Sequence, residues 1–419
     1  MSLKENETEA AKEPAAPDVK TSPFAPQPGV KTSPFAPPPE WPTQEAVGGV
    51  RFDFNNGLRV SFPKDGDEYR CLFRDLDSGV VLFCMDAEKG SAVESVKKFF
   101  VRFGLEIYRQ GQLEEPVFRH DLDLNGKDVL IQLPFGALGD TVAWFSYVER
   151  FQKKHGCRLK VSMQKELADI FRDQYPGIRF VTMDEAAALK PYATYRVGLF
   201  FGGDTDHQPY DFRLVGLHRT AGHILGLEDV SDQPPRVDMS RERIVKDPYV
   251  VIATQASSQA KYWNNPSGWR EVVSWLKSHG YRVLCIDRMP EYGSGVVWNH
   301  IPWGCEDFTG DLPLHERIDL IKDADAFVGL SSGLSWLAWC CRVPIVLISG
   351  FTDPVNEFAT PGRVINPAVC HGCWNDMRCE FNHGDFLWCP RKEKLDERFE
   401  CTKAITAPMV IRRLENMLY

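Results

Sequence analysis

The first apolar pattern in the chain has a period of two. Arg51-Phe-Asp-Phe54 and Leu58-Arg-Val-Ser-Phe62 alternate around Asn56-Gly57, which predicts a β-hairpin closed by a tight turn. Residues 69–73 and 80–85 flank Asp77-Ser78-Gly79 and predict a second hairpin, and residues 99–108 a further strand. Residues 48–120 are therefore expected to form a small antiparallel β-domain. It holds no catalytic constellation.

From about residue 125 the pattern changes. Asp128-Val-Leu-Ile-Gln-Leu133 is a short buried strand, and after Pro134-Phe-Gly136-Ala-Leu-Gly139-Asp140-Thr141 a helical apolar pattern runs to Phe151. Strands are expected from 158, at 180–183 and at 195–201. The alternation restarts at 249–253, with helices over 267–279 and 314–323 and strands over 282–286, 326–330 and 344–348. Strands alternating with helices imply parallel sheets. The expected class is α/β, with Rossmann-like domains over 121–245 and 246–419 facing across a cleft.

Residues 1–47 break both periods. They are rich in Pro, Glu, Ala and Lys, and repeat Val-Lys-Thr-Ser-Pro-Phe-Ala-Pro from Val19 and again from Val30. Proline at this density opposes helix and sheet, so a disordered or extended arm is expected.

Composition narrows the function. A formal net charge of -9 argues against a nucleic-acid partner, which selects a basic surface. No apolar run approaches the roughly 20 residues of a membrane span, and residues 1–20 lack the apolar core of a secretory signal. A cytoplasmic location is expected. In that reducing compartment the 12 cysteines favour thiols or a thiolate metal site over disulfides.

Three loops carry candidate chemistry. Gly136-Ala-Leu-Gly139-Asp140 lies where a strand gives way to a helix, so backbone amides can approach an anion. Asp140 is either a helix cap or a general base at the cleft. Thr254, Gln255, Ser258 and Lys261 follow the first strand of the second half, where hydroxyls, amides and one ammonium suit a phosphate. Ser332, Gly333 and Leu334 open a helix after a strand and repeat the anion-binding arrangement, which points to a nucleotide diphosphate. Thr309 completes the donor-binding set. No Walker A lysine loop is present. The acidic triplets Asp75/Asp77, Asp121/Asp123 and Asp204/Asp206 read as surface turns sooner than metal sites, and His218 and His223 stay outside the catalytic set.

Five cysteines cluster late in the chain. Cys370-His-Gly-Cys373 is a C-x-x-C knuckle, with Cys389 and Cys401 returning from a distance. Such a loop-like segment gains from a metal crosslink what it lacks in core. Cys370, Cys373, Cys389 and Cys401 are the expected ligands over 370–401, leaving Cys379 over. Four thiolates suit zinc or iron alike.

Gly136-Ala-Leu-Gly139-Asp140-Thr141, the Thr254…Lys261-Tyr-Trp263 loop and Ser332-Gly333-Leu334-Ser335 together resemble the ADP-heptose transferases of bacteria. The β-domain and the cysteine cluster resemble a narrower branch, the autotransporter heptosyltransferases, over about residues 48–419. The resemblance implies a GT-B fold and inverting transfer of heptose from ADP-heptose to serine hydroxyls of an autotransporter adhesin. It also implies a ring-like homo-oligomer and one structural iron ion, with zinc as the alternative. Asp140 would be the base, and Lys261 the contact to the donor phosphates. Lipopolysaccharide heptosyltransferases typically read Asp-Thr-Gly-Leu-Ser-His where this chain has Ser331-Ser-Gly-Leu-Ser-Trp336, and Asp307 or Asp311 would stand in for the lost aspartate. The competing functions are transfer to lipopolysaccharide core and a non-catalytic metal-finger scaffold.

Overall fold

The computed structural model describes residues 33–112, 114–134, 136–391, 393 and 397–419. The alternating segments pair as their pattern predicts. Arg51–Asp53 runs antiparallel to Arg59–Ser61 with Phe52 opposite Val60, and Tyr69–Asp75 antiparallel to Val81–Ala87. Two four-stranded antiparallel sheets result. Phe52, Val60, Phe73, Leu105 and Ile107 are buried within this unit, because period-two alternation puts them on the inner faces.

The β-domain is joined to the next unit through its backbone. Phe54 donates to the Tyr192 carbonyl at 3.1 Å, and Thr194 returns a bond to the Phe54 carbonyl at 3.0 Å. Asn55 reinforces the seam by donating to the Pro191 carbonyl at 2.8 Å and accepting from Thr194 at 2.7 Å.

The first α/β unit is a four-stranded parallel sheet in the order Ile178–Val181, Arg158–Ser162, Asp128–Gln132, Ala193–Arg196. Its long helix, Leu138–His155, ends at Gly156, whose φ of 60° closes the last turn, a left-handed conformation that favours glycine. The second unit has six parallel strands in the order Glu306–Asp307, Arg282–Cys285, Tyr249–Ile252, Ala326–Leu330, Ile345–Ile348, Gly362–Val364. Its central strands are buried on both faces, as their unbroken apolar runs require. The pattern had not predicted the hairpin of Glu291–Ser294 and Val297–His300 or the edge strand Gly362–Val364.

Residues 1–32, with the first octapeptide, lie outside the described residues. The placed part of the arm differs from the expected free segment. Gln44–Glu45 pairs as an edge strand, and the carbonyls of Pro39 and Pro42 accept from Arg59 and Arg51 at 2.9 and 2.8 Å. Proline removes a donor and leaves the acceptor, so guanidinium groups still hold this stretch.

The two α/β units are tied together at several points. Asp232 of the first accepts from His218 at 2.7 Å and from Arg219 at 2.8 Å, and from the Ala359 amide of the second at 2.9 Å. The Leu217 amide donates to the Asn356 carbonyl at 3.1 Å. Among the described residues no helix is long and apolar enough to cross a membrane.

Candidate active site between the two α/β units

Two helix N-termini meet at the floor of the cleft. Helix Leu138–His155 starts from the first unit and helix Gly333–Cys341 from the second. A Cβ on Gly139 would lie 2.8 Å from Trp336 Cδ1 and 3.2 Å from Gly333 Cα, and one on Gly333 would lie 2.9 Å from Leu138 Cβ. Both glycines are thus needed for close approach. Each helix start carries unspent backbone donors and the positive end of its dipole.

Asp140 stands in the first turn of the first of these helices and does not cap it. The cap position is Ala137, with no side-chain hydrogen bond, so the capping explanation of this carboxylate fails. The side chain is half-buried. Burial raises its pKa to about 6 against the lowering effect of the Lys261 ammonium. A carboxyl poised near neutrality can take a proton from a hydroxyl.

Lys261 arrives from the other unit, at the end of the short turn Gln259–Lys261 that Ser258 caps with its hydroxyl. Burial pushes its pKa down, while Asp140 and Glu357 support the charged form. Its Nζ lies 5.8 Å from the centre of the Phe351 ring. Glu357 is 2% exposed; it accepts from the Ser331 hydroxyl and from Arg363, and at 3.0 Å from Asn356. Ser331 occupies the position at which the lipid-directed enzymes are expected to carry aspartate. Here a carboxylate comes to that position from a different loop. Trp336, in place of the histidine, packs against His218 and Phe358 at ring distances of 5.5 and 5.0 Å.

The remaining predicted residues fall into two groups. Ser332 precedes helix Gly333–Cys341, and its buried hydroxyl has no partner among the described residues; with Gly333 and the half-buried Leu334 it adjoins Gly139. A buried hydroxyl beside free helix amides fits an anionic donor group. Thr254 and Gln255 are engaged elsewhere. The Thr254 amide and hydroxyl both donate to Asp287 at 2.8 and 2.7 Å, the Gln255 amide at 3.1 Å. Thr309 donates to Asp307 at 2.9 Å through its amide and 2.6 Å through its hydroxyl, and Asp311 pairs with Arg288 at 3.0 Å. Gly136 lies in the loop ahead of Asp140, where an added Cβ would meet the Pro134 carbonyl oxygen at 3.9 Å, an ordinary contact.

Sequence reasoning missed Glu357, Asp287 and His383. Asp287 follows strand Arg282–Cys285, a strand-end position that could have marked it. His383 is depressed by burial and by the Lys261 charge, and stacks edge-on to Phe381 and Phe201. Glu357 and His383 sit in irregular loops without local signature. Two of the acidic triplets close turns: Asp75 accepts from the Asp77 amide, and Asp204 from the Asp206 amide.

The late cysteines gather beside this cleft. The Cys401 thiol shares a hydrogen bond with Cys370, which brings Cys370 down to about 6. Burial and the neighbouring Cys389, Cys379 and Cys370 raise Cys373, and Cys401 lies in the fields of Cys373, Cys370 and Cys389. Cys379 interacts with Cys373 and Cys389 and pairs with Asp376. Among the described residues no group of three or more ligating side chains is arranged to hold a metal ion as it stands. The donor chemistry fits a soft or borderline ion nonetheless: the four neighbouring thiols need side-chain rotation to close on one. Phe351, Trp374, Phe381 and Trp388 pack around the cluster.

Two parallel α/β units closing over a carboxylate from one and an ammonium from the other define a two-domain glycosyltransferase of the GT-B class. Residues 47–111 match the family model described as glycosyltransferase TibC, N-terminal domain, and residues 225–369 that of glycosyltransferase family 9 (heptosyltransferase). The autotransporter heptosyltransferase TibC of Escherichia coli O78:H11 is 54% identical over 369 residues, covering 88% of this chain and 90% of that protein. A crystal structure of the dodecameric iron-containing heptosyltransferase TibC in complex with ADP-D-beta-D-heptose matches with a TM-score of 0.88 at 52% identity, covering 91% of this chain and 99% of that one. The inactive autotransporter heptosyltransferase BimC of Burkholderia thailandensis is 39% identical over 381 residues, covering 90% of this chain and 88% of that protein. The chain belongs to the autotransporter heptosyltransferase family.

Proposed function

We propose that this protein transfers heptose from ADP-heptose to serine hydroxyls of an autotransporter adhesin, in the cytoplasm and with inversion at the anomeric carbon. The observation that carries the reading is the juxtaposition of Asp140 and Lys261 across the cleft. Because the family includes a member named inactive, membership alone does not decide activity.

In this reading the acceptor hydroxyl lies against Asp140, which takes its proton as the oxygen attacks the anomeric carbon. The bond to ADP breaks on the opposite face. Lys261, the Ser332 hydroxyl and the amides of helix Gly333–Cys341 stabilise the diphosphate as charge develops on it. Thr254, Gln255, Ser258 and Thr309 shape the donor side, Thr254 and Gln255 through Asp287. Gly136 and Gly139 let backbone approach the sugar.

Cys370, Cys373, Cys389 and Cys401 would hold one iron ion, with Cys379 outside the set, and its chemistry here is structural. A homo-oligomer is supported by the apolar surface of the unpredicted hairpin and its flank, where Val296, Trp298 and Trp303 are 96%, 53% and 87% exposed, unusual for a monomer. Intact-mass measurement of an adhesin co-expressed with this protein tests the activity. A ladder of added heptose masses is expected, and an unmodified adhesin overturns the reading.

A further inference from the structure

Residues 33–37, the described part of the second octapeptide, are seated in a built cradle on the first α/β unit. Ala36 is 1% exposed and packs with Leu130, Val181 and Ala186. Its carbonyl accepts from Arg196 at 3.1 Å and from Gln132 at 3.4 Å. The Phe35 ring stacks on Phe200 at 6.2 Å, lies under the Arg196 guanidinium at 5.8 Å, and would touch a Cβ on Gly198 at 3.1 Å. The cradle therefore selects an aromatic ring, then a small residue, then a carbonyl acceptor. Pro37 follows, without a backbone donor to satisfy.

Each of these requirements is met a second time in the chain. Residues 19–26 repeat residues 30–37 letter for letter, so Phe24, Ala25 and Pro26 offer the cradle the same ring, small residue and carbonyl. We propose that the cradle is a peptide-recognition site with two competing ligands in its own chain, and that residues 19–26 occupy it whenever residues 30–37 leave. One Ser-Pro-Phe-Ala-Pro unit is then always outside the cradle. Seating the first copy loops out the 11 residues from Gln27 to Pro37. Closing such a loop favours the second copy by about thirtyfold.

The test is photo-crosslinking of the full chain with Ser22→p-benzoylphenylalanine; Ser22 is the counterpart of the exposed Ser33. Crosslinks to the 196–200 segment of the same chain are expected in a few per cent of molecules, rising about thirtyfold in a Phe35→Ala background. Equal yields in the two backgrounds, no crosslink to that segment, or crosslinks only between chains would overturn the proposal. A second measurement covers loss of the arm's own anchoring. The Phe24→Ala/Phe35→Ala variant is expected to bind added peptide Val-Lys-Thr-Ser-Pro-Phe-Ala-Pro and to ignore the same peptide with Phe→Ala. Equal binding of the two peptides, or of neither, would also overturn it.

Discussion

Gly139 and Gly333 face each other across the two α/β units, so close that a methyl group on either would enter the other's helix. This contact brings two helix N-termini to one point, and it can be tested by the smallest possible change. Gly333→Ala is expected to cost about 1–3 kcal/mol by overpacking and to lower transfer more than the stability loss explains. Thermal denaturation and initial rates with ADP-heptose measure both; unchanged values in both would remove the contact from the site.

Asp140 yields a prediction in pH. Its folded pKa of about 6 lies above the ordinary carboxylate value. The folded state therefore holds this proton more tightly than the unfolded one, and the ionised carboxylate destabilises the fold above pH 6. Asp140→Asn is expected to abolish transfer while stabilising the protein by about 1–3 kcal/mol at pH 8, with the gain vanishing below pH 4. In the unaltered protein, turnover should fall with acid through about pH 6.

Lys261 opposes that upward shift. Lys261→Met removes the nearby charge, so the acid limb of the rate profile should move to higher pH while affinity for ADP-heptose drops at least tenfold. A pH–rate profile and a titration with ADP separate the two effects. A lowered affinity with an unmoved limb would uncouple Lys261 from Asp140.

Asp232 gives the opposite sign. Burial opposes its ionisation, but the hydrogen bond and charge of His218, the Ala359 amide and Arg219 together outweigh it, so its pKa lies well below the usual carboxylate range. Its contribution is complete above the unfolded value and is lost as pH falls toward the lowered one. Asp232→Asn should destabilise the protein by about 3 kcal/mol at pH 7, and by progressively less as pH falls below about 4, as read by denaturant titration.

Metal content separates the cysteines. Cys370→Ser, Cys373→Ser, Cys389→Ser and Cys401→Ser should each lower iron per chain in elemental analysis, whereas Cys379→Ser should leave it near the unaltered level. Loss of iron with Cys379→Ser would bring that thiol into the ligand set.

The α/β units and the first hairpins were legible because buried strands must be apolar and tight turns need Asn-Gly or Asp-Ser-Gly. Asp140 and Lys261 were legible as residue types at strand ends. Their meeting was not, since it depends on how two sheets pack 121 positions apart in the chain (140 to 261). Thr254 looked like a phosphate donor because hydroxyls after strands often are; Asp287, hidden in another strand end, engages its amide and hydroxyl. Glu357 left no trace, because a carboxylate in an irregular loop looks like any surface acid until its burial is seen.

The cysteine segment also reaches across to the first α/β unit. Asn375 donates to the Arg213 carbonyl at 2.8 Å, and Trp374 rests on Phe212 and Phe201. Together with the Asp232–Ala359 bond, this fastens the two halves at separate points along their seam. A cleft stitched in this way cannot swing open like a book without unpicking its stitches. Whatever orders the cysteine segment therefore also bears on how the two halves are held together.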